Sequence, residues 1–272
     1  RMVVKRGRKN RARRFVEMSS IQKTPPPMNV IVASHERSGT HFLINTLALN
    51  FGYSPKWIDS DIISGADFYL ASHFRAYLTC VEHTSNGRIV KEHHHPAFFE
   101  PLFDELREKF IVFYIYRNPA DVMCSFWRYV RAAERREGPV VESPAAFMRA
   151  APSRGMLRYQ MEQHATILDR WRAHVDAWTT LGLERAAAVA IGYEELSLDF
   201  DGTVARLARR LGMPCPRPVR PSVSKNVIVL GPGMVGGFRE HLSAEDIAFI
   251  RDATEPTLQR LDLLRYLSVS AE

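Results

Sequence analysis

A polar turn lies between the apolar run at residues 30–32 and a helical pattern that runs from about Thr40 to Phe51, and its side chains suit anion binding. The candidate hydrogen-bond donors of this segment are Arg37, Ser38, Thr40 and His41, with Gly39 among them. Backbone N–H groups at a helix N-terminus, together with the positive end of the helix dipole, favour a negative group. The turn is therefore predicted to bind a phosphate-like anion, although an ordinary strand–turn–helix join has the same local pattern.

A second candidate for anion binding is Arg117, which directly follows the strongly strand-like run Phe110–Tyr116. An arginine at the carboxyl end of a buried strand is costly unless it meets an anion or a carboxylate there. Ser125 lies eight residues later, on the first turns of the helix predicted after Pro119. Arg117 and Ser125 therefore suggest a phosphate site at the sheet edge, and the alternative is a structural ion pair between Arg117 and Asp121.

Three adjacent histidines, His93, His94 and His95, follow Lys91 and Glu92 at the end of another short predicted strand. Adjacent side chains diverge, whereas the ligands of a zinc site must converge, so the pattern does not favour a metal. Histidine titrates near neutral pH and can take a proton from a hydroxyl. A single histidine acting as general base, with Lys91 stabilising charge, is the favoured chemistry.

Strands and helices alternate along the chain around these segments. Further strands are predicted at 88–91 and 186–191, and helices at 101–109, 121–136, much of 143–178, 201–211 and from about 244. Such alternation predicts one α/β domain with a mostly parallel central sheet and helices on both faces.

The net charge of +7 is concentrated at one end of the 272-residue chain. Residues 1–14 hold eight of the 37 basic side chains and no acidic one, which leaves 29 basic against 30 acidic residues elsewhere. We expect residues 1–27, which end in three prolines, to be a poorly ordered leader and residues 28–272 to form the domain. A near-neutral domain argues against a nucleic-acid partner, while the leader offers a surface for acidic lipid.

Composition also bears on location. Three cysteines without paired spacing favour a reducing compartment, and we expect a cytoplasmic protein. No apolar run is long enough to predict a membrane span. The oligomeric state is left open.

Taken in order, these segments resemble the sulfotransferase family that uses 3′-phosphoadenosine 5′-phosphosulfate (PAPS). Residues 35–42 are similar to the loop that binds the 5′-phosphosulfate, and residues 116–125 (YRNPADVMCS), the most specific match, to the segment that binds the 3′-phosphate. Residues 91–93 are similar to the lysine–x–histidine that supplies the base in cytosolic members, and residues 192–196 to the turn beside the adenine. The nucleotide-binding residues that the resemblance implies are Arg37, Ser38, Gly39, Thr40, His41, Phe42, Arg117, Ser125, Tyr193 and Gly233.

The chain departs from the family pattern at three places. The C-terminal phosphate segment of the family usually reads Arg-Lys-Gly, but residues 231–239 (GPGMVGGFR) lack both basic side chains. Binding of the 3′-phosphate would then depend more on Arg117, Ser125, backbone N–H groups and the candidate Lys225. Phe42 replaces a common tryptophan, and His41 replaces a small hydroxyl residue.

The resemblance implies transfer of a sulfuryl group from PAPS to a hydroxyl or amine, with 3′,5′-ADP as the product and no metal required. It assigns His93 as general base, Arg37 as the group that stabilises the leaving phosphate oxygen, and Lys91 to the sulfuryl oxygens. His94, His41 and Glu92 are the alternative bases. The acceptor is left open among small molecules, glycans and lipid-linked compounds. Trp57, Tyr69, Phe74, Phe98 and Phe99 suggest an aromatic wall for it, although the core is the favoured place for Trp57, Tyr69 and Phe74.

Two other functions are consistent with parts of the pattern. A P-loop kinase or NTPase using Mg-ATP would share the P-loop NTPase-like sheet, but its loop needs G-x-x-x-x-G-K-[ST], whereas this loop has one glycine and Arg37. A non-catalytic protein that binds nucleic acid or membrane through the leader is disfavoured by the near-neutral domain.

Overall fold

A computed structural model describes residues 28–54, 58–59, 70–84, 87–132, 137–222 and 234–267. Its centre is a sheet of five described strands in the order β2-β3-β1-β4-β5. The strands are β1 (Asn29–Ser34), β2 (Ile58–Asp59), β3 (Ile89–Glu92), β4 (Phe110–Tyr116) and β5 (Val189–Gly192). Every neighbouring pair is parallel, which confirms the predicted sheet. The proposed leader, residues 1–27, lies outside the described residues.

Helices cover both faces of this sheet. The described α-helices are α1 (Thr40–Phe51), α2 (Ala71–Thr84), α3 (Phe103–Lys109), α4 (Pro119–Ala132), α5 (Pro144–Arg149), α6 (Ile167–Ala177), α7 (Leu183–Arg185), α8 (Tyr193–Leu198), α9 (Phe200–Leu211), α10 (Ala244–Arg260) and α11 (Leu264–Leu267). Shorter turns of 3₁₀-helix span Pro96–Leu102, Arg154–Tyr159 and Gly237–Glu240, and a π-helical turn spans Trp178–Gly182.

The alternation of side chains along β1 and β4 divides the core between the two faces. Ile31 and Val112 pack in the cluster that includes residues of α4, α6 and α10, whereas Val30 and Phe113 pack with α1 and α9. All residues of β1 and β4 are buried, as expected for the two strands at the centre of a parallel sheet.

The helical region predicted at 143–178 is interrupted in the structure. Ser143 caps α5 through the Ala146 N–H, and α5 ends at Arg149. Pro152 cannot donate a backbone hydrogen bond, and the chain resumes as the 3₁₀ turn before α6. The helix predicted at 201–211 is confirmed as α9, and Gly212, which ends it, adopts the left-handed φ of 64°.

Candidate active site

The loop between β1 and α1 has an unusual backbone. Arg37 has φ 68° and Gly39 has φ 100°, both in the left-handed region, which a non-glycine residue enters only at a cost. A Cβ at Gly39 would overlap the Tyr193 ring, so glycine is required there for space as well as for conformation. No side chain caps the N-terminus of α1, which begins at Thr40. The loop is thus drawn tightly around the helix terminus.

Arg37 projects from this loop into a mostly buried place with few anionic neighbours. Its Nε donates to Ser125 Oγ at 3.2 Å, and its guanidinium lies 5.0 Å from the centre of the Tyr129 ring. No carboxylate among the described residues pairs with it, and burial together with the nearby Arg117 lowers the pKa of Arg37. A desolvated guanidinium beside a second one fits an anionic ligand.

Ser38 adds a second indication of an anion site. Its hydroxyl is buried and has no hydrogen-bond partner among the described residues. Buried polar groups are nearly always paired, so an unpaired one beside a helix N-terminus suits the oxygen of a ligand. The residues of the loop therefore fit a phosphosulfate group.

Arg117 forms the ion pair with Asp121 and still fits an anion site, the two alternatives that the sequence left open. Its Nη2 lies 3.5 Å from Asp121 Oδ2, so the structural ion pair is present, and it also donates to the Met234 carbonyl at 2.8 Å. Its guanidinium lies 4.3 Å from the centre of the Tyr193 ring, while its buried Nε has no partner within the described part of the chain. The ion pair and the carbonyl contact both use Nη2, so the ion pair does not occupy the buried Nε–H, which can still donate to a ligand.

Asp121 also holds the C-terminal segment against this site. Its carboxylate accepts the N–H groups of Gly236 and Phe238 at 2.8 and 3.0 Å. Asp121 therefore links the start of α4 to the segment that carries the departure from the family pattern. Gly233 and Lys225, the other candidates in that region, lie outside the described residues.

His93 lies beside the loop because β3 and β1 are adjacent. Its Nδ1 is 2.9 Å from the Ser34 carbonyl oxygen and 3.2 Å from Ser34 Oγ. A carbonyl oxygen can only accept, so Nδ1 carries the proton and Nε2 is the basic nitrogen of the neutral ring. Ser34 Oγ also lies 2.7 Å from Thr40 Oγ1, which connects the histidine to the start of α1.

The other two adjacent histidines have separate environments. His94 Nδ1 lies 2.7 Å from Glu92 Oε2, and the His94 ring stacks on Phe98 with centroids 4.1 Å apart. His95 Nδ1 accepts the Ala97 N–H at 3.3 Å. The three rings do not converge on a common point. Two of the alternative bases, His94 and Glu92, pair with each other.

His41 lies at the same end of the sheet as the loop and His93. Burial, then the charges of Lys91 and Arg37, lowers the pKa of His41 to about 4. Electrostatic coupling of this kind requires proximity, so Lys91, Arg37 and His41 share one location. His41 is therefore neutral near pH 7 and a weaker base than an ordinary histidine.

A row of aromatic rings continues from Tyr193 away from Arg117. Phe42 lies 6.0 Å from Tyr193 and stacks with Phe200 at 6.2 Å. The Arg220 guanidinium lies over Phe200 and Phe42, at 4.8 and 5.9 Å from the ring centres. Phe200 and Arg220 are not among the residues predicted from the sequence, because no local pattern singles them out.

The proposed aromatic acceptor wall is wrong for its described members. Phe74, Phe98 and Phe99 are no more than 5% exposed and pack against one another in the core. Their apolar surface is more stable in the core than facing an open pocket. Trp57 and Tyr69 lie outside the residues whose side chains the structure describes.

Two absences apply to the described part of the chain. Within it, no group of three His, Cys, Asp or Glu side chains is arranged to hold a metal ion. Among the helices described, none has both the length and the apolar character needed to cross a membrane.

Comparison with protein families and curated proteins gives consistent matches. Residues 27–228 match the family model described as "Sulfotransferase domain". Sulfotransferase 2B1 of Mus musculus and of Homo sapiens are each 25% identical over 187 residues, which is 68% of this chain and 50% and 47% of theirs. The chain thus spans about half the length of the curated relatives it matches.

Solved structures resemble this one over most of its length. A mouse sulfotransferase complexed with PAP has a TM-score of 0.56 at 16% identity, with 88% of this chain and 87% of that chain covered. Retinol dehydratase in complex with retinol and PAP has a TM-score of 0.54 at 18% identity, with 87% of this chain and 82% of that chain covered. A sulfotransferase from Alicyclobacillus acidocaldarius has a TM-score of 0.50 at 15% identity, with 90% of this chain and 98% of that chain covered. At these identities the likeness is one of fold.

Proposed function

The chain belongs to the sulfotransferase family, and we propose that it transfers a sulfuryl group from PAPS to a hydroxyl or amine of an acceptor. The observation that carries the proposal is the environment of Arg37. Its guanidinium is desolvated, contacts Ser125 Oγ at 3.2 Å and pairs with no carboxylate among the described residues. Beside it the Ser38 hydroxyl is buried without a partner in the same described part. This arrangement is stable once an anion neutralises it.

The proposed nucleotide site extends along the sheet edge. The loop residues from Arg37 to His41 would hold the 5′-phosphosulfate, and Arg117 with Ser125 the 3′-phosphate. Because Arg37 touches Ser125, the side chain of the first subsite contacts a residue of the second. Tyr193 and Phe42 offer ring faces for the base, and Gly233 remains a proposed contact outside the described residues.

In the proposed mechanism, His93 Nε2 accepts the proton of the acceptor hydroxyl. Ser34 holds the ring in the required tautomer, since its carbonyl receives the Nδ1 proton. Bound PAPS would supply an activated sulfuryl group and leave as 3′,5′-ADP. Arg37 and Lys91 provide fixed positive charge where negative charge develops, which lowers the barrier without reorganisation. The site keeps half-buried His93 close to the loop, so orientation also contributes.

The acceptor is proposed by class. Retinol and androsterone are the compounds named in complexes of a structural neighbour, so we propose a small apolar molecule with one hydroxyl as the first acceptor class to examine. Glycans and lipid-linked acceptors are the alternatives. The free thiols of Cys124 and Cys215 accord with the reducing, cytoplasmic location that we also propose.

Thermal stabilisation by 3′,5′-ADP, compared with 5′-AMP and Mg-ATP, tests the proposal. A ligand at 100 times its Kd adds about 2.7 kcal/mol, equivalent to roughly 5–10 °C in Tm for a domain of this size. We expect 3′,5′-ADP to stabilise most, Arg37→Gln and Ser125→Ala to lose the shift, and the exposed control Arg107→Gln to keep it. Stabilisation by Mg-ATP alone would favour the kinase alternative, and no shift with any nucleotide would refute both.

A further inference from the structure

We propose that Arg170 and His174, which lie one turn apart on α6, are positioning residues for this site. Arg170 holds the loop that presents Arg37, and His174 holds the backbone of His93. The inference rests on the proposed sulfotransfer function. Neither residue carried a role in the sequence analysis, because their partners are distant in the chain.

Arg170 binds the loop between β1 and α1 through the carboxylate of Glu36. Its Nη1 donates to Glu36 Oε2 at 2.9 Å and its Nη2 to Oε1 at 2.8 Å, a bidentate pair. Burial opposes the ionisation of Glu36, but the Arg170 guanidinium outweighs it and holds the pKa of Glu36 well below its usual range. Arg170 is only 2% exposed, so the fork has one defined orientation.

His35 adds two further hydrogen bonds that hold the loop. Its Nδ1 donates to the Glu36 carbonyl at 3.0 Å, and its Nε2 accepts from Arg170 Nη1 at 2.8 Å. The acceptor role of Nε2 requires the neutral ring, and burial lowers the pKa of His35 to about 4. The two residues before Arg37 are therefore anchored, which compensates for the left-handed φ of 68° at Arg37 itself.

His174 acts on the base segment in the same way. Its Nε2 donates to the His93 carbonyl at 3.1 Å, which leaves Nδ1 to accept from the Tyr114 hydroxyl at 3.0 Å. His174 is 3% exposed, and burial keeps its pKa well below the usual value, so the ring is neutral. Further along, Trp178 Nε1 donates to the His94 carbonyl at 2.9 Å. Two successive carbonyls after β3 are thereby fixed by one helical segment.

The consequence is that α6 sets the loop and the base relative to each other. Residues four apart lie on the same helix face, so Arg170 and His174 reach the ends of β1 and β3 from one rigid element. A displacement of about 1 Å at a reacting group can cost about 10²-fold in rate. Loosening either contact should therefore impair a different part of the reaction.

The test separates the two contacts by their readouts. Glu36→Gln keeps the volume but not the charge, and we expect the Kd for 3′,5′-ADP to rise about tenfold through loss of the charged pair. His174→Leu should leave that Kd within twofold while kcat falls about 10²-fold. His174→Gln, whose amide can donate to the same carbonyl, should restore most of kcat.

The ¹⁵N shifts of the His93 imidazole give a readout that needs no ligand. We expect the Nδ1–H tautomer in the wild type and in His174→Gln, and a mixture of tautomers in His174→Leu. Thr254→Val is the matched control, because that buried hydroxyl bonds only to Ile250 O of its own helix among the contacts described, at 2.6 Å. It should lower Tm and leave kcat, Kd and the His93 signal unchanged.

The inference would be overturned if Glu36→Gln and His174→Leu lowered Tm as the control does but left kcat, Kd and the His93 tautomer as in the wild type. Should Glu36→Gln fail to fold, Arg170→Lys, which keeps the charge without the fork, decides the same question through the Kd. A wild type that does not bind 3′,5′-ADP would refute the proposed function instead. The His93 tautomer would then still show whether His174 orients that ring.

Discussion

Glu194 offers a test of how burial and charge act at the edge of the proposed nucleotide site. Its Oε1 accepts the Asn118 N–H at 2.9 Å, while its buried Oε2 has no partner among the described residues. Burial raises the pKa of Glu194 from 4.5 to about 6, despite the opposing effects of Asn118 and Arg117. The carboxylate is therefore less stable in the folded chain than in the unfolded one.

The magnitude follows from linkage. A folded pKa above the unfolded value means that the folded state binds the proton more tightly, so stability falls as pH rises through the range from 4.5 to 6. A shift of this size costs about 2 kcal/mol once both states are ionised, and about 1 kcal/mol of it develops between pH 5 and pH 8. Glu194→Gln removes the ionisation and with it this pH-dependent cost.

Thermal unfolding of Glu194→Gln and wild type at pH 5 and pH 8 measures the effect. We expect the variant to gain on the wild type by about 2–4 °C more at pH 8 than at pH 5. The control is Glu195→Gln, whose half-exposed carboxylate pairs with Arg206 at 2.8 Å on the surface. Such a pair contributes about 0–1 kcal/mol, so little change is expected.

An equal difference in Tm between Glu194→Gln and wild type at both pH values would show that ionisation of Glu194 does not cost stability. A smaller advantage at pH 8 than at pH 5 would show that Oε2 is paired in solution. In that case the charge of Glu194 would support the Asn118 backbone rather than oppose folding.

Four further predictions concern the site. His93→Ala should lower kcat by about 10²–10⁴-fold with an unchanged Kd for 3′,5′-ADP; unchanged single-turnover rates would assign the base elsewhere. Gly39→Ala should abolish nucleotide binding, since a Cβ overlaps the Tyr193 ring and φ is 100°; a calorimetric Kd like that of the wild type would contradict this. The contribution of His35 to stability should fall as pH drops from 6.5 towards 4, because the unfolded chain takes up a proton that buried His35 resists; a Tm series on His35→Asn should have a flatter acid limb than the wild type. Asp121→Asn should weaken the attachment of residues 234–240, seen as faster amide exchange at Phe238, and equal exchange would refute that role.

Local pattern was enough to predict most elements near the site. The helix at Thr40–Phe51 and the strand at Phe110–Tyr116 have the predicted bounds, because period and composition express themselves within a few residues. The strand predicted at 186–191 is shorter, Val189–Gly192, since the start of that alanine-rich run has little to distinguish helix from strand. The aromatic wall was wrong because burial depends on partners that the local pattern does not contain.

The sequence by itself determined the parallel α/β architecture, the turn before α1 that we propose binds an anion, and the motif residues, since each depends on neighbours within one or two turns of chain. Only the tertiary structure decided which of them meet. Arg37 reaches Ser125 across 88 positions, and Arg170 reaches Glu36 across 134. Such contacts form because β1, β3 and β4 lie side by side with their carboxyl ends at one edge and α6 packs over them. The pairing of buried charges depends on that packing. The same packing determines the tautomer of His93, the ionisation of Glu36 and the left-handed backbone at Arg37.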